Sequence, residues 1–275
     1  MRLIFLSIFS FFSFSLFGIQ VAPNSPELVV VIPSYNNGRN NNNMCLKNLQ
    51  SIFSQTYPKF SVIYVNDCSS DDTAALVENF VRTHHLENKI KVINNTERKG
   101  AMRNLYEAIQ TIDPHKIVVD VDGDDLLAND LVLQKIATIY SDKKIWITCG
   151  STEVFPHPST LLASPVPDTI KKSANFASYG SLWLPLRTFY AKLFQLIKKE
   201  DLCYQGQFFS VSSDRAMMRP MLEMATYKHF KPIREILYLY YRTAISDCSL
   251  KSNLQRKCEK YIESKPPYAR VEALF

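Results

Sequence analysis

The stretch "IVVDVDGDDLLAND" at residues 117–130 carries four carboxylates within six positions, directly after a run of β-branched apolar residues. The acids are Asp120, Asp122, Asp124 and Asp125. The apolar run predicts a buried strand, and the negative charge that follows it has to be neutralised. A bound metal ion, a covalently held phosphoryl group and a solvated loop are the three arrangements that would do so.

Strands and helices alternate on both sides of this stretch. Buried strands are predicted in "ELVVVIP", "FSVIYVND", "KIKVINN", "KIVVD" and "KIWITCG", with amphipathic helices between them. This alternation predicts a parallel sheet with right-handed crossovers, in which ligands bind beyond the carboxyl ends of the strands. The acidic loop lies at that edge together with three other polar strand ends, at residues 33–36, 66–67 and 94–95.

The finer pattern gives predictions for individual elements. Asp71 and Asp72 are expected in the first turn of the second helix, and Asn129 is expected to cap the fourth helix. After residue 150 the chain becomes rich in Pro and Ser up to residue 186, which predicts irregular structure. "RTFYAKLFQLIKK" then predicts an amphipathic helix, and "REILYLYYR" a late strand.

Composition excludes several classes of protein. The 275 residues are 46% hydrophobic and 21% charged, as in an ordinary packed globular protein. The net charge of +6 suits a phosphate-bearing ligand or an anionic surface, and no block of Lys and Arg is long enough to indicate nucleic acid. The seven glycines form neither a dinucleotide fingerprint nor a P-loop, and the six cysteines are never spaced CxxC, which argues against a zinc knot.

The N-terminus differs from the rest of the chain, because residues 3–19 contain no charged residue. A signal peptide, an uncleaved membrane anchor and a buried apolar arm all fit this pattern. We expect residues 1–22 to form a signal peptide or anchor. The expected location is therefore membrane-associated or in a secretory or envelope compartment, with membrane association through residues 3–19.

Known chemistries fit the acidic loop unequally. An EF-hand counted from Asp120 would need Gly at its sixth position and Glu at its twelfth, where this chain has Asp125 and Leu131. A haloacid dehalogenase-type phosphatase would use Asp120 as nucleophile and Asp122 as acid/base, but its motif ends in Thr or Ser and follows the first strand. A divalent ion that bridges a nucleotide diphosphate needs only one or two carboxylates, which the loop supplies.

Four segments resemble one family when taken in order: "VVVIPSYNN", "QTYPKFSVIYVNDCSSDDT", "NTERKGAMRN" and "VVDVDGDDLL". The chain is similar to family 2 glycosyltransferases of the GT-A fold. The resemblance implies an α/β protein with a Rossmann-like, mostly parallel sheet flanked by helices, and an inverting transferase. It implies a nucleotide-sugar half at residues 27–150, an acceptor half at 151–250 and a C-terminal tail at 251–275.

The resemblance also implies which residues bind the nucleotide sugar, with UDP as the expected nucleotide. These residues are Pro33, Tyr35, Asn36, Asp67, Asn95, Gly100, Arg103, Asp122 and Asp124. Plainer roles stay open: Pro33 ends a strand, Asp67 caps one, and Arg103 is a surface cation. Cys68 stands where the family commonly has Gly, which puts the geometry of that turn in question.

Aligned on residues 122–125, the family motif assigns a divalent metal, Mn²⁺ or Mg²⁺, to Asp124, with Asp122 nearer the ribose or a metal-bound water. A register that begins at Asp120 stays open. An inverting transferase also needs a base outside the metal shell, and Asp214 is the candidate. Glu223 is an alternative base, and stabilisation of a helix start is the alternative role for Asp214.

The partners implied are a nucleotide-sugar donor and a glycan, lipid or protein acceptor, without nucleic acid. A sugar-nucleotide-binding module that has lost activity is the rival interpretation.

Overall fold

A computed structural model describes residues 25–156, 159–173, 176, 183–241 and 252–275. Its first half follows the predicted alternation of strands and helices. The elements are β1 (Leu28–Ser34), α1 (Met44–Phe53), β2 (Phe60–Asn66), α2 (Thr73–Thr83), β3 (Ile90–Asn94), α3 (Ala101–Ile109) and β4 (Ile117–Asp120). Strands β1 and β4 are buried at every position, which explains their continuous apolar sequences.

The second half contains shorter and more varied elements. They are β5 (Leu126–Leu127), α4 (Val132–Tyr140), β6 (Ile147–Phe155), β7 (Ser159–Leu161), α5 (Asp168–Ser173), β8 (Arg187–Tyr190), α6 (Ala191–Gln195), β9 (Cys203–Tyr204), β10 (Gln207–Phe208), α7 (Ser213–Ala225), β11 (Phe230–Tyr241) and α8 (Ser252–Ser264). The late strand predicted from "REILYLYYR" is confirmed as part of β11.

One sheet organises the described residues, with strand order β3-β2-β1-β4-β8-β6-β11-β5 and β7 added on β6. Strand β1 lies parallel between β2 and β4, so the ends of these three strands meet at one edge. Strand β8 is antiparallel to both β4 and β6, and β6 pairs in parallel with β11. The predicted α/β fold with a mainly parallel sheet flanked by helices is confirmed. The expected division at residue 150 falls inside β6, so the two predicted halves share this sheet.

Three local predictions are wrong. The amphipathic helix predicted in "RTFYAKLFQLIKK" begins instead as β8, whose four residues are all buried between β4 and β6, followed by the short α6. Pairing with two neighbouring strands outweighs the helical spacing of that segment. Asn129 does not cap α4, because its Oδ1 accepts a hydrogen bond from the Leu131 N–H before the helix begins at Val132. Asp71 and Asp72 precede α2, which begins at Thr73.

The predicted membrane-associated or secretory location is corrected. Within the described ranges, none of the helices has the length and apolar character needed to cross a bilayer. The apolar segment at residues 3–19 and the predicted leader at 1–22 lie outside those ranges. Cysteines 45, 68, 203 and 258 carry free thiols, and Cys248 is outside the described residues.

Candidate active site

The loop after β1 is fastened to the loop after β2. The Asn36 N–H donates to Ser69 Oγ (2.9 Å), and the Gly38 N–H donates to Asp71 Oδ2 (2.9 Å). The Arg39 N–H donates to Asp72 Oδ1 (2.9 Å). Asp71 and Asp72 therefore hold a neighbouring loop, and Asn36 is part of the same fixed turn.

Tyr35 and Pro33 lie on either side of the β1 terminus. The guanidinium of the exposed Arg98 lies 3.7 Å from the centre of the Tyr35 ring, in cation–π contact. Pro33 is buried, and its carbonyl accepts a hydrogen bond from the Gly123 N–H (3.1 Å). Pro33 thus ties the β1 terminus to the acidic loop, while the half-buried Tyr35 presents an aromatic surface beside it.

Asp67 organises the turn that leads into α3. Its Oδ1 accepts hydrogen bonds from Asn95 Nδ2 (3.0 Å) and the Lys99 N–H (2.8 Å), and its Oδ2 accepts one from the Gly100 N–H (2.8 Å). Burial alone would raise the pKa of Asp67, but these bonds and the nearby Asn104 amide outweigh it and lower the pKa. Three of the predicted nucleotide-binding residues, Asp67, Asn95 and Gly100, therefore form one connected structure.

Gly100 and Cys68, which lie in the loops after β3 and β2, each have a positive φ, which favours glycine. Gly100 has φ +81° at the start of α3, and a Cβ there would meet nothing within 4 Å, so backbone conformation alone accounts for the glycine. Cys68 has φ +57° without being a glycine. The departure from the family pattern noted in the sequence thus places a side chain in a strained turn.

The acidic loop crosses over the end of β1 at very close range. A Cβ on Gly123 would lie 2.5 Å from Ser34 Cβ, so only glycine fits between the two flanking acids. Asn48 Nδ2 donates to the carbonyls of Asp122 (3.0 Å) and Asp125 (2.7 Å). The Asp122 N–H donates to Tyr238 Oη (3.0 Å), so the loop backbone is fixed from both sides.

The four acids of the loop have two kinds of surroundings. Asp120 and Asp125 are fully buried, and each has protein partners. Asp125 accepts hydrogen bonds from the Tyr238 hydroxyl (2.8 Å) and the Tyr241 N–H (2.8 Å). Asp122 and Asp124 are partly exposed, so these two are the acids of the loop that a ligand reaches.

Negative charge is concentrated around Asp122 and Asp124. Burial raises the pKa of Asp122 to about 7. The guanidinium of Arg187 opposes this rise, and the carboxylates of Asp120, Asp124 and Asp214 reinforce it. Burial also raises the pKa of Asp124. A divalent cation would offset this charge, so the two side chains fit the predicted metal.

The described residues contain no group of three or more His, Cys, Asp and Glu side chains arranged to hold a metal by themselves. A Mg²⁺ or Mn²⁺ ion that is bound through one or two carboxylates and substrate phosphates does not need such a group.

Sequence reasoning missed Arg187, which lies in β8 directly opposite Asp120 in β4. Its Nε donates to Asp120 Oδ2 (2.7 Å), and its Nη2 lies 3.5 Å from Asp122 Oδ2. Asp120 is thus paired and without exposed surface, which argues against the phosphatase nucleophile considered above. This segment was predicted to be a helix, and a helix gave no reason to expect Arg187 beside the acidic loop. Only its place in a buried strand next to β4 brings Arg187 to Asp120.

Asp214 reaches the same cleft from the second half of the chain. It lies in the first turn of α7 and accepts a hydrogen bond from the Arg215 N–H (2.8 Å). A cavity of about 260 Å³ is lined by Asp120, Asp122, Arg187 and Asp214 together with apolar side chains that include Met217 and Tyr240. The fold therefore joins the acidic loop and the predicted base in one cavity.

Two other predicted residues lie elsewhere. Glu223 is buried against Arg219 (2.7 Å) nine positions along α7 from Asp214, and it does not line this cavity. That distance, about 13 Å along the helix, removes Glu223 as an alternative base. Arg103 is half-exposed on α3 and forms ion pairs with Glu107 (2.8 Å) and Glu97 (3.6 Å).

Residues 29–214 match the family Glycosyl transferase family 2. The chain belongs to this family. The match spans the loop after β1, the acidic loop, Arg187 and Asp214. The family 2 resemblance seen in four short segments thus extends through the start of α7.

Known structures similar to this family 2 chain share its fold. S. aureus TarS 1–349 in complex with UDP-GlcNAc is 18% identical with a TM-score of 0.56, over 79% of this chain and 59% of that one. Mannosyltransferase PcManGT from Pyrobaculum calidifontis, in complex with GDP-Man and Mn²⁺, is 18% identical with a TM-score of 0.55, over 88% of this chain and 64% of that one. At these identities the likeness shows the GT-A fold alone.

A Mycobacterium tuberculosis (strain CDC 1551 / Oshkosh) sequence, "Uncharacterized protein MT1568", is 30% identical over 127 residues. The matched part is 46% of this chain and 36% of that protein. The family 2 chain therefore matches about a third of its curated relative and roughly 60% of the TarS 1–349 chain.

Proposed function

We propose that this family 2 member transfers a sugar from a nucleotide sugar to an acceptor hydroxyl, with inversion at the sugar carbon. UDP is the proposed nucleotide, and Mn²⁺ or Mg²⁺ the proposed ion. The observation that carries the proposal is the shared cavity, in which Asp122 of the acidic loop lies with Asp214 of α7. This arrangement supports a donor-side role for Asp122 and an acceptor-side role for Asp214.

The donor side is assigned to the carboxyl ends of β1, β2 and β4. Tyr35, with Arg98 over its ring, offers an aromatic surface for the base, and Asp67 fixes the turn at Lys99 and Gly100 beside it. Asp124 is the proposed metal ligand, with Asp122 nearer the ribose or a metal-bound water. When bound, the ion would neutralise charge on the leaving diphosphate.

The chemical step is a single displacement. The acceptor oxygen forms a bond to the anomeric carbon while the bond from that carbon to the diphosphate oxygen breaks. The bonding electron pair leaves with the nucleoside diphosphate, and the acceptor proton passes to the Asp214 carboxylate. A base on the acceptor side of the cavity is what this step requires, and Asp214 reaches it from α7.

Two similar structures support a nucleotide-sugar donor, since TarS was solved with UDP-GlcNAc and PcManGT with GDP-Man and Mn²⁺. The acceptor is a glycan, a lipid or a protein hydroxyl. Apolar side chains line part of the cavity, Leu161, Pro185, Met217 and Tyr240 among them.

Hydrolysis of a UDP-sugar without acceptor, measured as UDP release with and without Mn²⁺, separates an active transferase from an inert binding module. We expect slow release that depends on Mn²⁺ and stops in Asp124→Asn. A module that has lost activity would bind the UDP-sugar and release no UDP. Release of phosphate from a simple monoester, with no sugar nucleotide needed, would indicate a phosphatase instead.

A further inference from the structure

Arg187 is held rigidly at the floor of the cavity. Its Nε donates to Asp120 Oδ2 (2.7 Å), and its Nη1 donates to the Trp183 carbonyl (3.2 Å). Its side chain is only 8% exposed. The third nitrogen, Nη2, is directed at Asp122 Oδ2 at 3.5 Å, so the guanidinium is anchored at two points and presents its remaining nitrogen to the acidic loop.

The Asp122 backbone is fixed, but its carboxylate is not. Tyr238 accepts a hydrogen bond from the N–H of Asp122 and Asn48 donates one to its carbonyl, so both bonds are to the backbone of this residue. The Asp122 side chain keeps 40% of its surface exposed and lies among the like charges of Asp120, Asp124 and Asp214. Arg187 is a cationic neighbour of this side chain, with Nη2 3.5 Å from Asp122 Oδ2.

We propose that Asp120 and Arg187 act together as positioning residues that hold the Asp122 carboxylate in the orientation in which it meets the nucleotide-sugar donor. This inference rests on the proposed function. It assigns a role to two residues that lie 67 positions apart in sequence and face each other across β4 and β8. Asp120 Oδ1 has no hydrogen-bond partner in the described part of the chain, so the pair is not saturated by the protein alone.

The competing explanation is that the pair only fastens β8 to β4. The double variant D120L/R187M separates the two, because replacing a buried ion pair by apolar side chains of similar size is often neutral for stability. R187K is the conservative variant. It retains the charge, but an ammonium group lacks the planar fork that contacts Asp120, Trp183 and Asp122 together.

The measurement is UDP binding in the presence of Mn²⁺, by calorimetry, with the melting temperature taken on the same samples. We expect D120L/R187M to melt close to the parent protein and to bind UDP at least tenfold more weakly, and R187K to bind it several-fold more weakly. The matched control is R219M/E223L, which removes the buried pair on α7 outside the cavity and should leave UDP affinity unchanged.

Parent-like UDP affinity in either D120L/R187M or R187K would overturn the positioning role. Should the double variant fail to fold, R187K decides the question. A parent protein that binds neither UDP nor GDP with Mn²⁺ would contradict the proposed function instead, so the two failures are distinguishable.

Discussion

Two buried arginine–carboxylate pairs occupy different regions of this molecule. Arg187–Asp120 lines the cavity, and Arg219–Glu223 lies within α7, outside it. All four side chains are less than 10% exposed, and the shortest nitrogen–oxygen distance is 2.7 Å in both pairs. Burial and pair geometry therefore do not tell them apart.

The remaining hydrogen bonds do distinguish the two pairs. Glu223 accepts a second bond from the Tyr268 N–H (2.9 Å), and Arg219 donates to the carbonyls of Ile262 and Lys265. The α7 pair is thus saturated by protein groups and fastens the C-terminal segment. At the cavity, by contrast, Asp120 keeps an unpartnered oxygen and Arg187 faces a partly exposed acid. The α7 pair thus contacts only protein groups, whereas Arg187 at the cavity faces Asp122, an acid that a ligand reaches.

The largest expected effect separates two acids on the same helix. Asp214→Asn should reduce sugar transfer by about 10²- to 10⁴-fold, because it removes the proposed base, and should leave UDP binding nearly intact. Glu223→Gln should leave the transfer rate unchanged and lower the melting temperature. Steady-state kinetics and thermal melts of both variants check this. Near-parental transfer by Asp214→Asn would show that the base lies elsewhere.

The next effect concerns stability at the saturated pair. Arg219→Met leaves Glu223 buried without its cation, which should cost about 3–5 kcal/mol in the free energy of unfolding. Urea denaturation measures this cost. Affinity for UDP with Mn²⁺ should match that of the parent. A loss of UDP affinity in this variant, while it is still folded, would mean that the two regions are coupled and the distinction is incorrect.

Asp67 is one of the predicted nucleotide-binding residues but is bonded like a structural residue, so it sharpens the comparison. Asp67→Asn should cost about 2 kcal/mol at pH 7, since the carboxylate accepts bonds from the backbone of Lys99 and Gly100. The hydrogen bonds outweigh burial and lower the folded-state pKa of Asp67 below its ordinary 3.8. Its contribution is therefore complete well above pH 3.8 and is lost as the pH falls through the folded-state pKa.

Urea midpoints at pH 7 and pH 3 check this sign. The difference in urea midpoint between the parent and Asp67→Asn should be smaller at pH 3 than at pH 7. A difference that grows on acidification would contradict the assignment of a lowered pKa.

The smallest effect is at Cys68, whose φ of +57° strains a side chain. Cys68→Gly should raise stability by up to about 1 kcal/mol, because relief of this strain exceeds the added flexibility of the unfolded chain. Cys203 has an ordinary φ of −124°, so Cys203→Gly is the matched control and should lower stability. If both changes lower the melting temperature equally, strain at Cys68 is not significant.

The first four strands and the edge that carries the acids were predictable from sequence, because each strand has a short apolar core followed by polar residues, and β1 and β4 are buried throughout. The sequence did not predict the close approach of Gly123 to Ser34. It also did not predict which of the four acids are buried and which are partly exposed. Those features depend on Asn48 and Tyr238, which reach the loop from distant parts of the chain. Arg187 was missed for the same reason. Its four-residue strand is shaped by neighbours on both sides and has a helical spacing when read alone.

The central claim is that the carboxyl ends of β1, β2 and β4 bind a nucleotide sugar through a divalent ion held at Asp124. Thermal melts of the parent and of Asp124→Asn, with a panel of UDP- and GDP-sugars in the presence and absence of Mn²⁺, test it most directly. Ligand at about 100 times its dissociation constant adds about 2.7 kcal/mol, or several degrees in a chain of this size. We predict that rise for at least one nucleotide sugar, only with Mn²⁺ and only in the parent. No rise with any of them, or an equal rise in Asp124→Asn, would contradict the claim.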